Sequence, residues 1–171
     1  ADPSVYVAKL NIDLSTKFND WIETDLLQIE PDDLREITID NYTVDGRGTL
    51  VQGDISRLSR DSKAAPWKLN NLNPEVEELN AVEVQTLVRA LDNLKIIGVR
   101  HKPEGLSQDL KLAENFKLDV PTLLDLRARG FIFTPEGELR SSQGDLVAAT
   151  SQGAVYVIRF GQIFTGSDME L

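Results

Sequence analysis

Several stretches of the chain alternate apolar and polar residues, a pattern that predicts half-buried β-strands. Val5–Leu10 and Arg35–Val44 combine this alternation with β-branched and aromatic side chains, which are enriched in strands. Asp45–Gly48 predicts a hairpin turn, because Asp and Gly tolerate the positive φ values of tight turns, and Thr49–Leu58 is then expected to return antiparallel. Further strands are predicted at Trp67–Leu69 and Ile96–Arg100.

Other stretches space their apolar residues as an α-helix does. Thr16–Leu27 places apolar side chains three, four and eight residues after Phe18, which predicts an amphipathic helix. A second helix is predicted at Asn80–Asn93, since Asn80 and Glu83 have the spacing of a capping box, an arrangement worth about 1 kcal/mol. Two shorter helices are predicted at Leu106–Phe116 and Val120–Arg127, the latter with Pro121 in its first turn.

From Gly130 onward the chain changes to short apolar stretches separated by turn residues. Turn signals recur about every ten residues, which is typical of a meander of antiparallel hairpins. Because so short a segment buries too little surface to be stable alone, we expect the meander to extend the main sheet rather than form a second small one. The predicted fold class is α+β, with a mostly antiparallel sheet covered on one face by the helices at Thr16–Leu27 and Asn80–Asn93.

The order strand, helix, strand occurs twice before residue 103, which suggests a β-α-β internal repeat. Coincidence is the other explanation, since strands and helices commonly alternate in α+β chains. We interpret residues 1–171 as a single α+β domain or a fragment of one. Within it, the sub-repeats would be 4–58 and 66–102, followed by a helical linker plus β-meander at 103–171. A true repeat would place the two long helices side by side.

Composition and charge exclude several classes of partner. The chain has 171 residues, 41% of them hydrophobic, and a formal net charge of −10. Nucleic acid is not expected as a partner, because its binding depends on Lys and Arg neutralising phosphates, and anionic membrane surfaces are disfavoured for the same reason. The basic stretch Lys95–Lys102 is interpreted as a solvated strand and loop. No apolar run approaches the ~18 residues of a membrane span, so we expect no direct membrane insertion by this segment.

The residue inventory also limits the chemistry. The absence of cysteine excludes disulfides, thiolate zinc sites and cysteine nucleophiles, and the single histidine, His101, excludes sites that need two imidazoles. His101 itself is interpreted as a surface residue at the end of a strand. No serine lies in a Gly-x-Ser-x-Gly sequence, and Gly46 and Gly48 precede no predicted helix that could cradle a phosphate. We therefore predict no catalytic residues, no cofactor and no metal.

Acidic residues are the remaining candidates for chemistry, and each has a simpler explanation. Two pairs are adjacent in sequence, so their side chains diverge, and both lie beside prolines at predicted helix starts, where the helix dipole favours acids. These pairs are Asp32 with Asp33 and Glu77 with Glu78. Asp40–Gly48 resembles a calcium loop only superficially, because Tyr42 and Val44 stand where oxygen ligands are needed and no bidentate Glu follows. A hairpin turn explains that stretch better.

The two tryptophans are predicted to be core residues rather than a platform for an aromatic ligand. Trp21 shares the predicted helical stripe with Phe18, and Trp67 begins a strand. Truncation of either to Ala is then expected to cost about 3–5 kcal/mol.

The beginning of the chain, Ala1–Ser4, has no initiator Met and no basic segment followed by an apolar one, so we predict that it contains no targeting segment. The chain is interpreted as trimmed. A mature secreted protein and a piece of a longer protein with residues left by cloning would both explain this beginning. The lack of cysteine is compatible with either side of the membrane.

Certain segments, taken together, resemble the domain of unknown function 4340 family. They are Val5–Leu10, Leu14–Leu27, Trp67–Leu69 and Val84–Leu94. A later set resembles the extended form of the family in large planctomycete envelope proteins: Arg129–Phe133, Gly144–Leu146 and Gly153–Gly161. The resemblance implies a domain outside the cytoplasm, in a parent protein anchored by one N-terminal membrane helix, with some members encoded beside gliding-motility-type ABC transporter components. It implies no catalytic residues, since the family has none established.

We therefore expect an extracytoplasmic, non-enzymatic interaction module of the periplasm or cell envelope, accessory to an envelope ABC-type transport system and bound to protein partners there. The alternative is a carboxylate-based hydrolase or a carbohydrate-binding domain. Two carboxyl groups about 5–10 Å apart across a deep cleft would favour that alternative.

Overall fold

The computed structural model describes residues 14–45, 49–113 and 116–163. The strand predicted at Val5–Leu10 and the tip of the hairpin predicted at Asp45–Gly48 lie outside these residues. The fold is α+β, as predicted. Its elements are β1 (Leu34–Asp40), β2 (Thr43–Val44), β3 (Leu50–Val51), β4 (Ile55–Ser59), β5 (Lys68–Leu69), α1 (Ala81–Asp92), α2 (Val120–Ala128), β6 (Phe131–Phe133), β7 (Leu139–Ser141), β8 (Asp145–Thr150) and β9 (Val155–Arg159).

A five-stranded antiparallel sheet, with the strand order β5-β4-β1-β8-β9, forms the centre of the fold. β1 lies in the middle, where Ile37 is opposite Leu58 of β4 on one side and Ala148 of β8 on the other. β8 and β9 form a hairpin in which Val147 is opposite Val157. The C-terminal meander thus extends the main sheet through β8 and β9, as the sequence predicts.

One face of this sheet packs against α1 around an apolar cluster. Successive strand residues point to opposite faces, so Leu146 and Ala148 of β8 reach the cluster while Val147 faces the other way. The helix contributes Val84 and Val88, one turn apart on its buried side, together with residues further along that stripe. This cluster is the core of the domain.

The start of α1 confirms Asn80 as the N-cap, which is one half of the predicted capping box; the structure shows no return bond from the Asn80 N–H to the Glu83 side chain. The side-chain oxygen of Asn80 accepts hydrogen bonds from the backbone N–H groups of Val82 and Glu83 at 3.1 and 3.3 Å. These N–H groups have no partner within the helix, so the cap satisfies them and fixes where the helix begins.

The rest of the C-terminal region forms a smaller unit beside the main sheet. β6 and β7 pair as a two-stranded antiparallel hairpin, and α2 packs against β6. The chain enters β8 through Gly144, which has a φ of +83°. A Cβ there would lie 2.3 Å from the carbonyl oxygen of Asp40, so the junction between hairpin and sheet requires glycine.

The prediction of a helix at Thr16–Leu27 is wrong. The structure has a 3₁₀ turn at Phe18–Asp20, followed by bends and a single bridge residue, Asp25. Leu27 and Ile29 enter the core on either side of Gln28, whose φ of +49° turns the chain between them. The Asn and Asp of the turn compete with helix formation through local hydrogen bonds, and apolar spacing alone did not outweigh that preference.

Two further predictions are wrong. Ile96–Arg100 is not a strand, because only Lys95 forms a bridge, with Asp25, and the chain beyond it has no partner strand within the described residues. Residues 106–113 are irregular rather than helical. Leu110 has a φ of +60°, which no right-handed helix can contain. In contrast, the helix predicted at Val120–Arg127 is present as α2.

The absence of a helix at 16–27 removes the pair of helices on which the β-α-β repeat depended. Of the predicted pair, only α1 is present and covers the sheet. The proposed boundaries at 4–58, 66–102 and 103–171 stay a prediction.

Candidate functional site

A surface groove lies between α2 and the segment 99–104. Its main part has a volume of about 880 Å³ and is lined by residues 99–104, 116–119, 121, 122 and 125. A second hollow of about 470 Å³ continues along α2 toward Phe131 and Ile163. Because both hollows are lined by Arg100 and Asp125, they form one continuous depression, here named the α2 groove.

α2 forms one wall of this groove and begins directly after Asp119, its N-cap residue. The Asp119 carboxylate accepts a hydrogen bond from the backbone N–H of Thr122 at 2.7 Å, which caps the first turn. No residue of the helix is buried. Val120, Leu123 and Leu124 are 66%, 41% and 61% exposed. These three side chains lie outside the lining of the groove, which has its own exposed apolar side chains in Val99 at 66% and Phe116 at 38%. Exposed apolar side chains grouped in this way are typical of an interaction surface.

Cations line one end of the groove although the chain as a whole is acidic. Arg100 and Lys102 lie on the loop wall, with His101 between them, and Lys117 lies on the opposite wall before α2. Lys102 is partly engaged, since its ammonium donates to the carbonyl oxygen of Ser107 at 3.0 Å. Positive charge on both walls favours an acidic occupant.

The carboxylates of the groove are largely used within the fold. Asp119 caps α2, and the N–H of Thr122 lowers the pKa of its carboxyl, which keeps the group ionised. Asp125 binds the guanidinium of Arg129 at 2.9 Å. Glu104 is the third carboxylate in the lining. A general acid requires a raised pKa near the working pH, and Asp119 has the opposite shift.

A second group of polar side chains, here named the Tyr42 cluster, lies where the β6–β7 hairpin meets the main sheet. Its members are Tyr42, Glu138, Arg140, Ser141, Asp145 and Arg159. The hydroxyl of Tyr42 donates to the Asp145 carboxylate at 2.8 Å, and the backbone N–H of Ser141 donates to the same hydroxyl oxygen at 3.3 Å. Tyr42, Ser141 and Asp145 are all buried.

Arginines complete this cluster. Arg140 donates to Asp145 at 3.0 Å and to Glu138 at 2.9 Å, and its guanidinium lies 5.9 Å from the centre of the Tyr42 ring. The Nε of Arg159 lies 3.6 Å from the Asp145 carboxylate. Burial raises the pKa of the Tyr42 phenol, and the adjacent Asp145 charge raises it further. The centre of the cluster is buried, Glu138, Arg140 and Arg159 are partly exposed at its rim, and none of its residues lines the α2 groove. Its contacts join the hairpin to the main sheet.

In each of the two acidic pairs, one carboxylate forms hydrogen bonds within the fold. Pro31–Asp33 forms a 3₁₀ turn, and the carboxylate of Asp33 accepts from Ser151 Oγ at 3.1 Å and Gln152 Nε2 at 2.8 Å in the β8–β9 turn. Glu77 accepts from the backbone N–H of Asn73 at 2.7 Å. With Glu78 it follows a turn rather than starting a helix, so that part of the interpretation is wrong.

The predictions for the two tryptophans have different outcomes. Trp21 is 64% exposed, so its assignment to the core is wrong; its indole N–H donates to the carbonyl oxygen of Ser15 at 2.8 Å. Trp67 is half-buried against the core cluster, with the guanidinium of Arg60 4.8 Å from its ring centre. His101 is exposed as predicted, but it lies in a loop of the groove rather than at a strand end.

Sequence reasoning did not find the Tyr42 cluster or the α2 groove. Tyr42 lies in the predicted strand at Arg35–Val44 and in the stretch that superficially resembles a calcium loop, and no local pattern gives Asp145 a role. Their contact depends on the pairing of β1 with β8, a long-range register that local patterns do not specify. Within the ranges described above, no three His, Asp or Glu side chains are grouped so as to hold a metal ion. Neither α1 nor α2, the helices of that part of the chain, has the length and apolar character needed to cross a membrane.

The fold and its polar residues define a class: an α+β domain on a five-stranded antiparallel sheet, with a surface groove beside an exposed helix. The family model for the domain of unknown function DUF4340 matches residues 1–114, two thirds of the chain, and the chain therefore belongs to this family. The match includes β1–β5 and α1, whereas α2 and β6–β9 follow it. Neither the curated proteins nor the solved structures include a match to this chain. The likeness to planctomycete envelope proteins stays a prediction.

Proposed function

We propose that this DUF4340 domain is a non-enzymatic interaction module that binds a protein partner in the α2 groove. The observation that carries the proposal is the exposure of two large apolar side chains in the lining of the groove, Val99 at 66% and Phe116 at 38%. Leaving large apolar side chains in water is unfavourable by about 25 cal/mol per Å², so a partner that covers them gains that free energy.

The charges around the groove support one kind of partner. Arg100 and Lys102 on one wall and Lys117 on the other favour an acidic segment, and the exposed side chains of Val99 and Phe116 favour aliphatic or aromatic contacts. We therefore propose an extended segment of a partner protein that carries both acidic and apolar residues. Complementary charge would set its orientation and speed its association.

The hydrolase alternative has less support from these residues. Asp119 and Asp125 are committed to capping α2 and to binding Arg129, and the buried carboxylate of Asp145 is held by arginines and Tyr42. Acid–base hydrolysis requires two carboxyl groups that can reach the substrate, whereas each of these three is engaged in a contact within the fold.

We further propose that the domain lies in the periplasm or cell envelope, within a membrane-anchored parent protein accessory to an ABC-type transport system. The support is the family resemblance of the sequence, and the test is separate from that of the groove. A fusion of the parent protein to a reporter enzyme that folds only after export should be active. Activity restricted to a reporter that works only in the cytoplasm would contradict the location.

Site-specific photo-crosslinking tests the groove. A photoreactive residue in place of Val99, which lines the groove and is 66% exposed, should give a discrete protein adduct in envelope preparations of the source cells. The same residue in place of Val82, which is 72% exposed on α1, is the matched control and should give none. Adding Lys117→Glu to the Val99 variant should reduce the adduct about tenfold, which corresponds to about 1.4 kcal/mol of binding free energy. Equal adducts from both positions would contradict the proposal.

A further inference from the structure

His101, the only histidine of the chain, lies in the wall of the α2 groove. It is exposed, and its neighbours in the chain are two cations of the same wall, Arg100 and Lys102. Imidazole is the side chain that ordinarily changes its charge between about pH 5 and pH 8. The groove therefore contains a group that adds a positive charge to its loop wall when the solution becomes mildly acidic.

The other charges of the groove nearly balance, so one added charge is a large change. In the described lining of the two hollows, four cations and three carboxylates give a net charge of +1 while His101 is neutral, and its protonation raises this to +2. The N–H of Thr122 lowers the pKa of the Asp119 carboxyl, so that this acid stays ionised over the same pH range. The four cations are Arg100, Lys102, Lys117 and Arg129, and the three carboxylates are Glu104, Asp119 and Asp125.

We propose that protonation of His101 strengthens the binding of an acidic partner segment in the α2 groove, so that the domain holds its partner more tightly at mildly acidic pH. The effect requires an acidic segment to bind there, and so it rests on the proposed function. A bound carboxylate favours the charged form of a nearby imidazole, so binding takes up a proton and strengthens as the pH falls. The carboxylates of the segment stay largely ionised down to about pH 5, because their ordinary pKa values are about 4.

The position of His101 makes the effect large enough to measure. Consecutive Cα atoms are about 3.8 Å apart, and charges on exposed groups are screened over about 8 Å at physiological ionic strength. A carboxylate that binds between Arg100 and Lys102 therefore lies within range of the imidazolium without needing to contact it. At a separation of about 6 Å near a protein surface, one added unit charge should tighten binding about threefold to tenfold.

Photo-crosslinking at two pH values tests this regulation. The protein with a photoreactive residue in place of Val99 is prepared with His101 intact, with His101→Gln, which is neutral, and with His101→Arg, which is always charged. Each is mixed below saturation with envelope preparations at about pH 5.5 and about pH 7.5. With His101 intact, the adduct should increase about threefold or more at the lower pH. His101→Gln should keep the lower yield, and His101→Arg the higher yield, at both pH values. Because groups of the partner titrate equally in all three mixtures, a difference between them reports on residue 101.

A histidine outside the groove provides the matched control. Val82→His in the His101→Gln background places an imidazole at an exposed position of α1 that does not line the groove, and it should not restore the increase. Three results would overturn the proposal: an increase that persists in His101→Gln, equal yields from His101→Gln and His101→Arg at the higher pH, or restoration by Val82→His. Each of these leaves the groove as the binding site. The absence of any adduct at both pH values would instead overturn the proposed function, and this regulation with it.

Discussion

Tyr42 and Asp145 lie 103 positions apart in the chain and are joined by a 2.8 Å hydrogen bond from the phenol to the carboxylate. This bond connects the segment after β1 to the first residue of β8. Asp145 also binds Arg140 of β7, so one carboxylate joins the main sheet to the β6–β7 hairpin. Because β6 packs against α2, the same carboxylate helps to position a wall of the α2 groove.

Removal of the Asp145 carboxylate should therefore be strongly destabilising. Asp145→Ala leaves Arg140 and Arg159 with positive charge and no acid at the buried end of the cluster, and should cost roughly 3 kcal/mol of unfolding free energy. Asp145→Asn should cost less, since its amide oxygen can still accept from Tyr42. Denaturant titration gives both values, and a cost below about 1 kcal/mol for the Ala variant would show that the cluster does not hold the hairpin.

Tyr42→Phe should have a cost that depends on pH. At neutral pH the loss of the hydrogen bond to Asp145 should cost about 1–1.5 kcal/mol. Burial raises the folded pKa of Tyr42 above its ordinary value of about 10, so the stability that the phenol adds is fully present below that pH and is lost as the pH rises through the folded pKa. The difference in stability between wild type and Tyr42→Phe should thus shrink above about pH 10. A difference that stays constant or grows there would contradict the burial of the phenol.

How far the sequence predicted the structure depends on whether a signal was local. Asn80 carries its capping information within one turn, and α1 begins where that signal places it. The apolar spacing that begins at Phe18 is also local, but no helix forms there, and of the predicted segment only Leu27 enters the core cluster while Trp21 stays exposed. Pairs such as Tyr42 with Asp145 require the sheet register, which no short window contains.

Removal of the α1 cap should lower the free energy of unfolding by a moderate amount. Asn80→Ala removes the acceptor for two backbone N–H groups and should cost about 1 kcal/mol. Gln85→Ala, at an exposed position of the same helix, is the control and should change stability by less than about 0.5 kcal/mol. The free energies come from denaturant titration of both variants. If the two variants lost equal stability, the cap would not be the cause.

The two tryptophans should respond differently to truncation. Trp67→Ala removes a half-buried ring that packs on the core and lies 4.8 Å from the Arg60 guanidinium, and should cost roughly 2–3 kcal/mol, below the range for fully buried aromatics. Trp21→Ala removes a ring that is 64% exposed and should cost less than about 1 kcal/mol. Chemical denaturation of each variant, followed by circular dichroism because each loses an indole, gives the comparison. Equal losses of stability would mean that Trp21 is buried in solution. A smaller loss for Trp67→Ala than for Trp21→Ala would show that the Trp67 ring and its contact with Arg60 add little to stability.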